Sequence, residues 1–248
     1  METEVYELTL SAPGKNALGT AVMTRLLTDL RAAGGRPLLV VGAGDAFSAG
    51  LDLKEVASLD RGGMERFLGL LGEVVDALFD YPGPAVACVN GHAIAGGCIL
   101  ALCCDLRVGA DDGAVRIGLN EVALGLEFPP KLLALVRYRV PPRAIERVVL
   151  EAGLHDPRTA LQLGLLDEVA ADPRAVARRH AERLGAHPHA VYVATKRALR
   201  AGALVQSADD LRYFRDTVVP AWCAPAVKER VQATLAARRS LPSGQGAA

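Results

Sequence analysis

Strands and helices alternate along the first half of this 248-residue chain, and the clearest strands carry no polar side chain. Leu38 to Val41 and Ala85 to Val89 are buried strands by length and β-branching. Val5 to Leu10 reads as a strand before them and Asp105 to Ala110 as one after, with a short strand at Val115 to Ile117. Between them the apolar spacing turns helical. Asn16 to Arg31 carries Leu18, Val22, Leu26, Leu27 and Leu30 and ends at Gly34-Gly35. Gly63 to Phe79 forms a second helix, stopped by Tyr81-Pro82-Gly83-Pro84, and Gly96-Gly97 opens a third, almost wholly apolar one. Gly42 to Gly50 reads as a loop and Asn90-Gly91 as a turn. This alternation predicts an α/β sheet with helical crossovers. From Pro129 the pattern becomes mostly helical, with one short strand at Leu166 to Val169, a last helix over Ala208 to Arg239, and a small, polar, frayed tail at 241–248.

The totals exclude several classes. Twenty-eight basic residues balance 28 acidic ones, so neither nucleic acid nor an anionic membrane is expected as the main partner. The acidic start Met1-Glu-Thr-Glu is neither a secretory nor an Arg-rich transit signal, and the longest apolar stretch, Ala93 to Cys104, is too short to span a bilayer. Cys88, Cys98, Cys103, Cys104 and Cys223 are odd in number and lack zinc spacing, which predicts buried reduced thiols, no metal and a cytoplasmic protein. Gly42-Ala43-Gly44 imitates a dinucleotide fingerprint, but Phe47 stands where the third glycine belongs.

Two glycine turns carry the chemistry. Phe47-Ser48-Ala49-Gly50-Leu51-Asp52-Leu53 leaves a buried strand and enters a helix-like segment, so the N–H after its glycine is free to donate outward. Asn90 to Cys98 also follows a buried strand, and Gly96 puts an N–H at a helix N-terminus, where negative charge is favoured. Two such donors aimed at one oxygen make an oxyanion hole. Each turn alone also fits a tight turn or a glycine packing site; their order and spacing together are more specific.

FSAGLDL at 47–53 and NGHAIAGGCILALCCDLRV at 90–108 resemble the signature of the enoyl-CoA hydratase/isomerase (crotonase) superfamily, and the likeness runs from about Val5 to Arg239. It implies a crotonase-like spiral of ββα turns over residues 1–188, a helical trimerisation region over 189–240, and trimers or paired trimers. It also implies an acyl-CoA thioester substrate, coenzyme A being part of that substrate and no separate cofactor being needed. Leu51 and Gly96 match the backbone donors that hold the thioester oxygen.

Hydratases of this family carry a glutamate three residues after the oxyanion glycine, where this chain has Ile99, and a second in a later FGxPE-like loop, where Ile117-Gly-Leu-Asn-Glu121 keeps it. Adding water needs a held water, which isoleucine cannot bind. Moving a double bond needs one base that takes a proton at one carbon and returns it at another. IGLNEVALGL also resembles mitochondrial-type Δ3,Δ2-enoyl-CoA isomerases. The apolar neighbours Leu119, Val122, Ala123 and Leu124 predict a raised Glu121 pKa. Glu127 is either a second acid lining the pocket or a loop carboxylate facing solvent or an ion-pair partner. The resemblance further implies substrate contacts at Lys15, Ala17, Ala49, Lys54, Ile99 and Arg238, although Leu235 departs from the aromatic residue that precedes such a C-terminal cation. The rival from another class is a protein of the same fold that binds acyl-CoA and turns nothing over.

Overall fold

The computed structural model describes residues 4–240, with side chains through residue 236. Its described strands lie in two parallel sheets. The larger orders β1 (Tyr6–Leu10), β2 (Leu38–Gly42), β4 (Ala85–Val89), β6 (Leu106–Ala110) and β8 (Glu168–Ala170) side by side. The smaller joins β3 (Ala46–Ser48), β5 (His92–Ile94) and β7 (Ile117–Gly118). After helix α1 (Thr20–Ala33), each turn of chain lays one strand in each sheet and then a helix. β2 and β3 lead into α2 (Leu53–Ser58) and α3 (Arg61–Phe79); β4 and β5 lead into α4 (Gly96–Cys103); β6 and β7 open a third turn. This is the expected ββα spiral.

Pleat alternation explains why the central strands had to be apolar throughout. Leu38 and Val40 of β2 and Ala85, Ala87 and Val89 of β4 face the main core. Leu39, Val41, Val86 and Cys88 face the opposite way, onto Ala177 and Ala181 of a later helix, α8. Burying each leucine or valine contributes roughly 1.5–3 kcal/mol, so the sheet is held from both faces.

The remaining helices are α5 (Pro130–Arg139), α6 (Ile145–Leu150), α7 (Pro157–Gln162), α8 (Pro173–Gly185), α9 (His189–Arg200), α10 (Ala208–Tyr213), α11 (Val219–Trp222) and α12 (Pro225–Ser240). Val218, Val219, Trp222, Val227 and Val231 join the same apolar core as the spiral, so the C-terminal helices fold back over it. No helix among the described residues is long and apolar enough to cross a membrane.

Four segments differ from the sequence expectation. The stretch Gly42 to Gly50 contains β3, and the segment after Asn90-Gly91 contains β5; three residues are too few to show a period of two. The first helix begins at Thr20 rather than Asn16, because Gly14, Lys15 and Asn16 all turn left-handed, with φ of 73°, 58° and 60°. The single helix expected over Ala208 to Arg239 is broken into α10, a π-turn at Phe214–Val218, α11 and α12, with Pro220 and Pro225 each removing a backbone donor. The tail at 241–248 lies outside the described residues.

Candidate active site

The small sheet assembles the site. Ser48 pairs with Ala93, Ala93 with Ile117 and Ile94 with Gly118, so three parallel strands end side by side. Leu51, Gly96 and Glu121 each follow two or three residues beyond those ends. Ligands of open α/β sheets sit at such carboxyl ends.

The main-chain donors are set by local pairing. Leu18 forms a parallel bridge with Leu51. In it the Leu18 N–H donates to the Gly50 carbonyl at 2.8 Å, and the Asp52 N–H donates to the Leu18 carbonyl at 3.1 Å. That pattern engages residues 50 and 52 and turns the Leu51 N–H away from the bridge. Gly96 is the first residue of α4, so its N–H has no intrahelical acceptor. The two stretches touch: a Cβ on Gly50, where φ is +87°, would stand 3.4 Å from the Gly96 nitrogen. A Cβ on Gly97 would stand 2.3 Å from the Ser48 carbonyl oxygen, so only glycine lets α4 start against β3.

Two supports escaped sequence reading. Asn16 is 3% exposed. Its Nδ2 donates to the carbonyls of Ala43 at 2.9 Å, Ala46 at 2.8 Å and Phe47 at 3.3 Å, which binds the loop leading to Leu51. Asparagine after Pro-Gly-Lys in a left-handed turn was the available signal. Ala95, just before Gly96, has φ 50° and ψ −118°, a costly conformation for a residue with a Cβ. No signal in the sequence announces it.

Glu121 is 6% exposed, and its Oε2 has no hydrogen-bond partner among the described residues; nor has Oδ1 of the adjacent Asn120. Two orphaned buried oxygens on consecutive residues mark a polar place in otherwise apolar surroundings. Desolvation pushes the Glu121 pKa up to about 7, against a smaller lowering by its own backbone N–H. The charge of Glu121 in turn helps raise Cys98 on the first turn of α4, which puts the carboxyl near that helix. The expected cause is only partly right. Val122 is 43% exposed and Ala123 faces solvent; the buried apolar residues of the loop are Leu119, Leu126 and Phe128. Ile99, one turn after Gly96, is wholly buried.

The other candidates divide. Lys15, Ala17 and Ala49 run beside the Leu51 turn: the Ala49 N–H donates to the Lys15 carbonyl at 2.9 Å, and the Ala17 N–H to that of Pro13 at 3.4 Å. The Lys15 ammonium pairs with Asp45 at 3.5 Å. Lys54 is exposed on α2, its N–H capped by the Asp52 carboxylate at 2.9 Å. The backbone of Arg238 lies in α12, and its side chain falls outside those described. Ser48 donates to the Asn16 carbonyl at 2.8 Å and accepts from the Gly50 N–H at 3.2 Å, fastening the turn. His92 lies on β5, where its Nδ1 accepts the Arg116 N–H at 3.0 Å and burial lowers its pKa. Glu127 is half-buried and accepts the Tyr213 hydroxyl. The Gly42-Ala43-Gly44 turn is clamped by Asn90, whose amide donates to the carbonyls of Gly42 at 2.9 Å and Gly44 at 3.0 Å. Cys88, Cys98, Cys103 and Cys104 are buried, and burial pushes the first two thiols to about 12, so they are poor nucleophiles.

Two clefts lie away from these strand ends. One of about 380 Å³ runs between α9 and α5, and one of about 600 Å³ between α9 and the end of α3. Neither is lined by Leu51, Gly96 or Glu121. Geometry and the orphaned carboxyl, rather than cavity size, make the strand ends the candidate site.

Comparison with known proteins bears on the fold and the family. The chain is 37% identical over 123 residues to mitochondrial enoyl-CoA delta isomerase 1 of Mus musculus, covering 50% of this chain and 43% of that protein. It is 36% identical over 159 residues to a putative enoyl-CoA hydratase of Thermus thermophilus, covering 62% and 61%. The chain thus spans less than two thirds of the length of either relative. The structure of human mitochondrial delta3-delta2-enoyl-CoA isomerase superposes with a TM-score of 0.85 at 26% identity, over 95% of this chain and 94% of that one. A family model described as enoyl-CoA hydratase/isomerase matches residues 1–229, and the chain belongs to that family.

Proposed function

We propose that this chain moves the double bond of a 3-enoyl-CoA to the 2 position. The thioester oxygen accepts the N–H groups of Leu51 and Gly96, and Glu121 removes a proton from C2. The resulting dienolate is held at its oxygen by the same donors, and Glu121 returns the proton at C4. The proton is conserved, the double bond moves by one carbon, and no group beyond the acyl-CoA and these protein residues takes part. The dry, nearly neutral setting of Glu121 suits both halves of this shuttle. The observation that carries the reading is that Glu121 is the single buried carboxylate among the described residues, with the wholly buried Ile99 where hydration chemistry would place a second one.

The likeness to a putative hydratase gives the second reading, addition of water to a 2-enoyl-CoA. An ultraviolet assay separates the two: a trans-3-enoyl-CoA gains the absorbance of the conjugated thioester, and a 2-enoyl-CoA loses it on hydration. The isomerase reading expects conjugation, with Glu121→Gln slower by at least about 100-fold while acyl-CoA binding is kept. Hydration without conjugation would replace it with the second reading. Binding with neither activity would leave a protein that holds acyl-CoA without turnover. The trimer or hexamer implied by the family belongs to this reading, and light scattering in solution tests it.

A further inference from the structure

With its Oε2 unpartnered among the described residues, the Glu121 carboxyl is placed chiefly by the main chain that carries it. The Glu121 carbonyl accepts the N–H groups of Leu124 at 3.0 Å and Leu126 at 2.9 Å, so the loop closes on its own first residue. The far end is fastened to the C-terminal helices at three points. The Trp222 indole N–H on α11 donates to the Glu127 carbonyl at 2.8 Å. The Tyr213 hydroxyl, at the end of α10, donates to the Glu127 carboxylate. Arg230 on α12 packs over Gly125, where φ is +70° and a Cβ would stand 2.1 Å from its Nη1. Tyr213 and Trp222 lie on either side of the π-turn at Phe214–Val218, the kind of bulge that recurs at functional sites. The same helices also reach the α2–α3 junction, where Lys228 donates to the Leu59 carbonyl at 2.9 Å and Arg61 to that of Arg215 at 3.2 Å.

We propose that Glu127 is a positioning residue for Glu121: bonded through its carboxylate to Tyr213 and through its carbonyl to Trp222, it anchors the far end of the loop so that the Glu121 carboxyl stays seated beside α4. This inference rests on Glu121 being the base. Glu127 acts as a hydrogen-bond acceptor and moves no proton. A glutamine in its place would still accept the Tyr213 hydroxyl, whereas an alanine could not. Among the described residues, the ionisable groups at this loop include the Tyr213 hydroxyl, the Cys98 thiol on α4, which feels Glu121, and the Arg230 guanidinium on α12.

The test combines steady-state kinetics with ¹³C NMR titration of labelled glutamate carboxyls, Glu121 being identified by its loss in Glu121→Gln. Glu127→Ala and Tyr213→Phe are each expected to lower kcat by about 10- to 100-fold with KM within about threefold. The double variant is expected to be no slower than the slower single one, and Glu127→Gln to recover most of the loss. In Glu127→Ala the loosened loop admits water, so Glu121 titrates lower than in the wild type; in Glu127→Gln it stays near it. Glu127→Gln as slow as Glu127→Ala would make Glu127 a proton carrier and overturn the proposal. So would additive losses in the double variant, or a Glu121 titration that Glu127→Ala leaves unmoved. If the wild type isomerises nothing, the functional reading fails, and the NMR comparison still decides whether the anchor exists.

Discussion

Keeping Glu121 out of water destabilises the folded chain wherever that carboxyl is ionised. Its pKa is about 7 folded against an ordinary value of 4.5, and burial is the main cause. Below the lower value both states hold the proton and the difference vanishes. As pH rises through this window the unfolded chain releases its proton freely and the folded one does not, so stability falls. Above about 7 the whole penalty, on the order of 3 kcal/mol, is in force. Glu121→Gln, neutral at every pH, is therefore expected to melt higher than the wild type at pH 8 and at about the same temperature at pH 4. Thermal unfolding followed by circular dichroism at the two pH values checks this. Equal melting at pH 8 would mean that the carboxyl is better solvated than its burial indicates. The variant that loses turnover is thus the one expected to gain stability, as in other sites where function holds a group in an unfavourable place.

At the scale of elements, the contact between β3 and the start of α4 decides where the Gly96 N–H points. The position a Cβ would take on Gly97 is filled by the Ser48 carbonyl, which is backbone and cannot swing aside. Gly97→Ala is expected to cost about 1–3 kcal/mol, in the range of overpacked cores, and to weaken acyl-CoA binding, read by urea unfolding and by calorimetric titration. Unchanged stability would show that α4 can slide. This junction was legible in the sequence because glycine is the residue type that such a close approach demands. The α/β sheet was legible through Leu38–Val41 and Ala85–Val89, whereas the spiral and Glu121 were implied by the family resemblance of residues 47–53, 90–108 and 117–121. Asn16 as a hub was not, because its bonds reach 27 to 31 residues along the chain. β3 and β5 were too short to show a pattern. The Glu127 anchor depends on where α10 and α11 fold back, which local sequence does not encode.

Across the whole molecule, Asp105 ties the spiral to the first of the C-terminal helices. Its carboxylate accepts the Ala85 N–H of β4 at 2.7 Å, the Tyr192 hydroxyl and the Lys196 ammonium of α9 at 3.0 Å each, and the Arg200 guanidinium. Lys196 and Arg200 are 8% and 7% exposed, so removing their shared counter-charge leaves two cations in a poorly hydrated place. Asp105→Ala is expected to cost about 3–5 kcal/mol, enough to remove much of the stability of a typical domain. A loss under about 1 kcal/mol in denaturant titration would mean that water reaches this network. The proposed base and the proposed donors, by contrast, come from separate strand ends. The donors follow β3 and β5, while the carboxyl rides on a loop after β7, a strand of only two residues. Rewriting that loop need not disturb the other two ends. On the proposed reaction, a lineage built on this scaffold can therefore vary the placement of its acid–base group by editing a few residues after Gly118, with the two backbone donors left as they are.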